Sequence, residues 1–99
     1  MPHLSWSPKT FDDFDRLYAH LVAVKSRATA LRALMDIQSG ARILETFPLL
    51  GRRVPGHISR REWVVRFGHG AYIVIYEVKT DTVIILTVRH SREAPAPAR

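Results

Sequence analysis

The chain has 99 residues, enough for one small domain with a single core and too few for two. It contains no cysteine, which excludes disulfides, thiolate catalysis and cysteine-based zinc sites together, while a hydrophobic fraction of 46% excludes a disordered chain. The net charge of +6 is uneven: residues 1–50 carry six Lys/Arg against five Asp/Glu and residues 51–99 carry nine against four, so the second half is expected to attract nucleic acid or an acidic protein.

At the N-terminus, Met1 to Trp6 shows no basic region followed by an apolar core, and no later run approaches the ~20 apolar residues of a membrane-spanning helix. A soluble, cytoplasmic protein is the expectation. His3 to Ser7 reads as a short strand or extended arm with Leu4 and Trp6 on one side. Ser7-Pro8 is a helix start, with the Ser hydroxyl accepting from an early backbone N–H and Pro at the first helical position. The first helix is expected from Pro8 to about Val24. Phe11, Phe14, Leu17, Tyr18, Leu21 and Val22 form its apolar stripe, and Asp12, Asp13, Asp15, Arg16 and His20 fall mainly elsewhere. After a break at Lys25-Ser26-Arg27, a second helix is expected from about Arg27 to Thr46, with Leu31, Leu34, Met35, Ile37, Ala41, Leu44 and Phe47 as its candidate core residues. Gly40 weakens it by ~1 kcal/mol relative to Ala and marks a site for a kink, and Phe47-Pro48 ends it.

Leu49 to His57 is a turn-rich connection bearing exposed Arg52 and Arg53. Gly51 and Gly56 have the outer spacing of a phosphate-binding loop, but His57-Ile58 stands where that motif requires Lys and Ser or Thr. Three runs rich in β-branched and aromatic residues follow, at 60–67, 71–78 and 83–92, separated by segments with Gly or Asp, as an antiparallel meander requires. Alternation places Trp63, Val65 and Phe67 on one face of the first run and Tyr72, Val74, Tyr76 and Val78 on one face of the second. The third run is apolar on both faces, which suits a central strand, with His90 sharing a face with Leu86 and Val88. The fold expected is α+β in the order β-α-α-β-β-β: a two-helix antiparallel hairpin packed on a small twisted antiparallel sheet, one domain over residues 1–93. The Pro/Ala tail at 94–99 is expected to be mobile.

This element order, with Leu49-Leu50-Gly51-Arg52 after the second helix, Arg60-Arg61-Glu62-Trp63-Val64-Val65 opening the meander, Tyr72-Ile73-Val74-Ile75-Tyr76 in its middle and Val88-Arg89-His90-Ser91-Arg92 closing it, resembles the RelE/ParE toxin superfamily over nearly the whole chain. The resemblance implies the toxin of a type II toxin-antitoxin pair, with a cognate antitoxin whose disordered segment folds onto the helices and sheet. Two mechanisms are implied by it: inhibition of DNA gyrase, as in the ParE-like branch, or ribosome-dependent mRNA cleavage, as in the RelE-like branch. A third reading, a non-catalytic nucleic-acid-binding module, rests on the basic second half alone.

Cleavage at a 2′-hydroxyl requires a base, cations around the phosphate and an acid for the leaving 5′-oxygen. The candidate catalytic groups are His90, Arg89, Arg92, Arg61 and Tyr72. Arg60, Arg61, Arg89, His90 and Arg92 are also the candidate basic surface, expected to gather at one end of the meander. The ribonuclease-type relatives carry Arg in the middle strand where this chain has Ile73, no acid occurs in Gly51 to His57, and Glu62 opens its strand in the ParE-like manner. The resemblance is therefore closer to the ParE-like branch, with gyrase as partner and ribosome and mRNA as the alternative. His3, His20, His57 and His69 have no ligand spacing, so neither metal nor cofactor is expected.

Overall fold

The computed structural model describes residues 2–95. Strand β1 (His3–Trp6) leads into helix α1 (Pro8–Val24) and helix α2 (Arg27–Ala41), which tightens into a 3-10 turn at Arg42–Glu45; strands β2 (Arg52–Arg53), β3 (Arg60–Phe67), β4 (Gly70–Lys79) and β5 (Thr82–His90) follow. The strands make one sheet in the order β1-β5-β4-β3-β2, with both helices on one face. This is the α+β arrangement expected, with two differences in the sheet. β1 pairs with β5 in parallel, Leu4 opposite Val83 and Trp6 opposite Ile85, so the sheet is mixed rather than wholly antiparallel. The connection after α2 contributes a two-residue fifth strand, Arg52 opposite Glu62 and Arg53 opposite Arg61. β4, not β5, is consequently the central strand.

The helix-facing side of the sheet presents Val65 from β3, Tyr72, Val74 and Tyr76 from β4, and Val83, Ile85 and Val88 from β5. The step from Ile85 to Val88 breaks the two-residue period. Ile75 pairs with Thr87 and Tyr76 with Ile85, leaving Leu86 as an extra residue. Such a bulge exchanges the faces of everything beyond it. Val88 and His90 thereby lie on the core side with Val83 and Ile85, where strict alternation had put them opposite. Both β3–β4 and β4–β5 close with two-residue turns, and Gly68 supplies the left-handed geometry of the first at φ 58°.

α2 meets the sheet through Ala30, Ala33, Ile37 and Ala41, continued by Leu44. Leu31, Met35 and Phe47, expected in the core, are 51%, 65% and 57% exposed. Small residues take the inward positions because the helix comes close. A Cβ on Gly40 would meet the Val65 methyls at 2.9 Å, and Trp63 Nε1 donates to the Gly40 carbonyl at 3.0 Å. Gly40 is thus a point of close approach, and the helix passes through it to Ala41. Burying Ile37 and Leu44 completely contributes roughly 1.5–3 kcal/mol each.

α1 packs Leu17 into the core, flanked by Phe14 and Leu21. Phe11, expected on the same stripe, is 58% exposed, and Asp13 occupies an inward position at 0%. The Ser7 hydroxyl does not cap α1; it donates to the Leu86 carbonyl at 2.9 Å. Ser26 performs that role for α2, accepting from the Thr29 N–H at 3.1 Å. Of the tail expected to be mobile, residues 96–99 lie outside the described residues.

Candidate functional site

The chemistry-bearing side chains cluster where α1 crosses the outer edge of β5. Asp13 is the centre of the cluster. Its Oδ2 accepts from the Val88 N–H at 2.9 Å and the Thr87 hydroxyl at 2.6 Å, and its Oδ1 accepts from Lys9 Nζ at 2.6 Å and Arg16 Nη1 at 2.7 Å. Burial alone raises the pKa of this carboxyl, but the hydrogen bonds from Lys9, Thr87, Arg16 and the Val88 amide outweigh it and hold Asp13 below the usual carboxylate range. Arg16 extends the network in two directions, donating through Nη2 to the Val88 carbonyl at 3.2 Å and pairing with Glu93 at 3.0 and 3.2 Å. Glu93 also accepts from the His90 N–H at 2.8 Å. Burial raises the Glu93 pKa as well, and the Arg16 and His90 contacts bring it below its ordinary value, while Glu93 and Asp13 together push the Arg16 guanidinium up.

The residues expected to form one basic surface are divided between two faces and two ends of the sheet. Arg60 pairs with Glu77 in the ladder, whereas Arg89 pairs with Ile73, four residues earlier in β4. Arg60 and Arg89 both line a cavity of about 490 Å³ on the sheet face opposite Tyr72, Val74 and Tyr76, floored by Ile75 and Thr87 and walled by Val54, Pro55 and His57 on one side and by Lys9 and Arg16 of α1 on the other. Arg61 is tied to the connection preceding β2, its Nη1 donating to the carbonyls of Gly51 at 2.8 Å and Leu49 at 3.3 Å. His90, Tyr72 and Arg92 line a second cavity, about 660 Å³, between α1 and the β3–β4 turn. Glu93 and Arg16 border both cavities.

Three of the candidate catalytic groups, His90, Tyr72 and Arg89, already have partners within the molecule. His90 Nδ1 accepts from the Arg92 backbone N–H at 3.1 Å, its ring meets Tyr72 edge-on at 5.3 Å, and its Nε2 lies over Gly70, where a Cβ would stand only 2.7 Å away. Arg89 Nη1 donates to the main-chain carbonyls of Glu93 at 3.0 Å and His90 at 3.4 Å. Tyr72 is 2% exposed, and burial, reinforced by the nearby Glu93 charge, raises its pKa. Position 73 in β4 is isoleucine and supplies no cation. What the arrangement offers chemically is charged and apolar contact surface. Among the described residues no group of three His, Asp or Glu gathers for a metal, and no helix is long and apolar enough to cross a membrane.

A second ordered feature lies behind Leu49-Leu50-Gly51-Arg52. The fully buried Tyr76 hydroxyl donates to the Pro48 carbonyl at 2.8 Å and accepts from the Gly51 N–H at 2.9 Å. A Cβ on Gly51 would fall 2.5 Å from the Glu62 carbonyl oxygen and 2.7 Å from the Tyr76 hydroxyl. Glycine is required here by proximity, and it is what allows β2 to reach β3. Glu62, facing Arg52 across that pair, forms an ion pair with it.

Asp13, Arg16 and Glu93 were not among the site residues legible in the sequence. The available signal is spacing: Asp13 sits three residues after buried Thr10 and four before buried Leu17, the phase of the core stripe, with Lys9 and Arg16 within one turn on either side.

Comparison with known proteins converges on this architecture. The sequence profile described as "ParE toxin of type II toxin-antitoxin system, parDE" matches residues 4–95, and no curated protein gives a match. A solved structure titled "Chromosomal ParDE TA system from P. aeruginosa" superposes with a TM-score of 0.76 at 24% identity, covering 91% of this chain and 96% of that one; at that identity the likeness establishes the fold. With the profile spanning both helices and all five strands, the chain belongs to the ParE toxin family of type II toxin-antitoxin systems.

Proposed function

We propose that the free protein inhibits growth in the cytoplasm by docking on DNA gyrase, and that a cognate antitoxin neutralises it by covering the same molecule. The observation that carries the choice of docking over RNA cleavage is the engagement of the groups at the end of β5. His90 Nδ1 is occupied by a backbone N–H and Arg89 is turned onto main-chain carbonyls, while Arg16 is committed to Asp13 and Glu93. A ribonuclease needs a base with a lone pair facing substrate and cations free to meet phosphate. Here these groups instead hold the end of β5 in one shape, as a rigid contact surface requires. The relative from P. aeruginosa is described as part of a ParDE system, and the basic second half of this chain suits an acidic partner.

The test uses purified chain with gyrase, supercoiled DNA and ATP, run beside translating ribosomes loaded with message. Accumulation of cleaved gyrase–DNA complexes, with intact message on the ribosomes, is the expected result. Codon-register cuts in the message that disappear in His90→Ala would overturn the assignment in favour of the RelE-like mechanism.

A further inference from the structure

Tyr72 is 2% exposed, yet its hydroxyl makes no hydrogen bond among the described residues and is not sealed from solvent. Its ring is held between Phe67, at 6.1 Å, and His90, edge-on at 5.3 Å. The hydroxyl is therefore left to the cavity of about 660 Å³ that Tyr72 lines between α1 and the β3–β4 turn. Beside it, His90 Nδ1 is taken by the Arg92 N–H at 3.1 Å. A neutral imidazole then carries its proton on Nε2, and that N–H also has no acceptor among the described residues. Two donors on touching rings thus face one cavity without a protein partner, where buried polar groups are ordinarily paired.

We infer that this cavity binds a small amphiphilic anion, an apolar body ending in a carboxylate or a phosphate monoester, whose oxygens accept from the Tyr72 hydroxyl and His90 Nε2 while its body lies along Leu21, Val24 and Phe67. A concave, mainly apolar site with a few convergent donors is the usual form of a small-molecule pocket, and its volume lies within the usual range of about 300–1,000 Å³. The sign of the head group follows from the lining charges. Glu93 is the carboxylate there, and Arg16 pairs with it at 3.0 Å. Lys25 and Arg92 remain at the exposed rim and take part in no ion pair among the described residues. Burial raises the Tyr72 pKa, so the hydroxyl keeps its proton at neutral pH and acts as a donor.

The test titrates the isotope-labelled full chain with naphthoate and with naphthyl phosphate, reading chemical shifts. Saturable shifts at Tyr72, His90 and Gly68 to Gly70 are expected, and the tighter of the two ligands names the head group. Naphthalene methanol, which keeps the body, and inorganic phosphate, which keeps the head, should each bind at least about tenfold more weakly. Tyr72→Phe retains the ring and its contacts and removes a hydroxyl that no protein group uses, so it should unfold like the wild type and lose about tenfold in affinity. Lys25→Glu, at an exposed position outside the core, should weaken binding by about threefold at low salt and less at high salt. Absence of saturable shifts with both anions, shifts centred elsewhere, or unchanged affinity in Tyr72→Phe overturns the inference. Equal binding of naphthalene methanol would leave only an apolar cavity, and equal binding of inorganic phosphate only a basic surface; either result also overturns it.

Discussion

The two outer edges of the sheet are finished in different ways, and the difference separates an edge the fold closes from one it leaves open. Along β5, β1 pairs as far as Ile85, whose carbonyl accepts from the Ser7 N–H, and the Ser7 hydroxyl takes the Leu86 carbonyl. The chain then turns into α1, and side chains replace the strand: Asp13 and Arg16 hold the Val88 N–H and C=O, and Glu93 holds the His90 N–H. Along β3, two residues of β2 do the equivalent work and stop at Glu62. An edge closed by the buried Asp13 carboxylate and the cations paired with it belongs to the stability of the molecule. One left with outward backbone groups at exposed Val64 and Arg66 is held by fewer contacts.

Breaking the closed edge should have the largest effect. Asp13→Ala leaves the Val88 N–H, the Thr87 hydroxyl and two cations without their shared acceptor, and is expected to lower unfolding free energy by about 3 kcal/mol, read from denaturant midpoints at constant slope. The same edge should give way in acid. Asp13 and Glu93 both have folded pKa values below their ordinary 3.8 and 4.5, so the unfolded chain binds more protons and stability rises with pH through that range. The contribution is complete above the unfolded pKa values and lost as pH falls through the lower folded ones. Denaturant midpoints between neutrality and about pH 3 should therefore fall less steeply in Asp13→Ala than in the wild type.

On the other side, Gly51→Ala should displace the Tyr76 hydroxyl or the Glu62 carbonyl and cost about 2 kcal/mol. It should also free β2, so that amide exchange at Glu62 accelerates toward that of Val64. A smaller effect is expected from Leu31→Ser, within roughly 0.5 kcal/mol by thermal or denaturant unfolding, because its side chain lies outside the core despite its apolar character.

The elements of this fold were readable because each carries its own signal: Ser7-Pro8 for the start of α1, three β-rich runs for the meander, Phe47-Pro48 for the end of the second helical segment. What escaped depends on contacts between distant residues. Nothing local marks Leu86 as the bulged residue of β5, yet that bulge decides which face His90 occupies. Leu31 and Met35 have core composition, but the closeness of α2 to Val65 gives the inward positions to Ala30 and Ala33. Asp13 was placed off the apolar stripe by its charge, and its burial is explained by the Val88 amide and Thr87 hydroxyl it meets across the molecule. For the candidate site, the residue types were legible and their grouping was not. Strand alternation sends Arg60 and Arg89 to one face and Arg61 and His90 to the other, a separation that depends on register as much as on sequence.

Amide hydrogen exchange on the free, unliganded chain tests the contrast between the edges most directly. The Val88 and His90 amides, held by Asp13 and Glu93, should exchange with protection approaching that of the central strand, while those of Val64 and Arg66 exchange rapidly although they lie in a regular strand of the same sheet. Strong protection of Val64 and Arg66 in the monomeric chain would contradict the account.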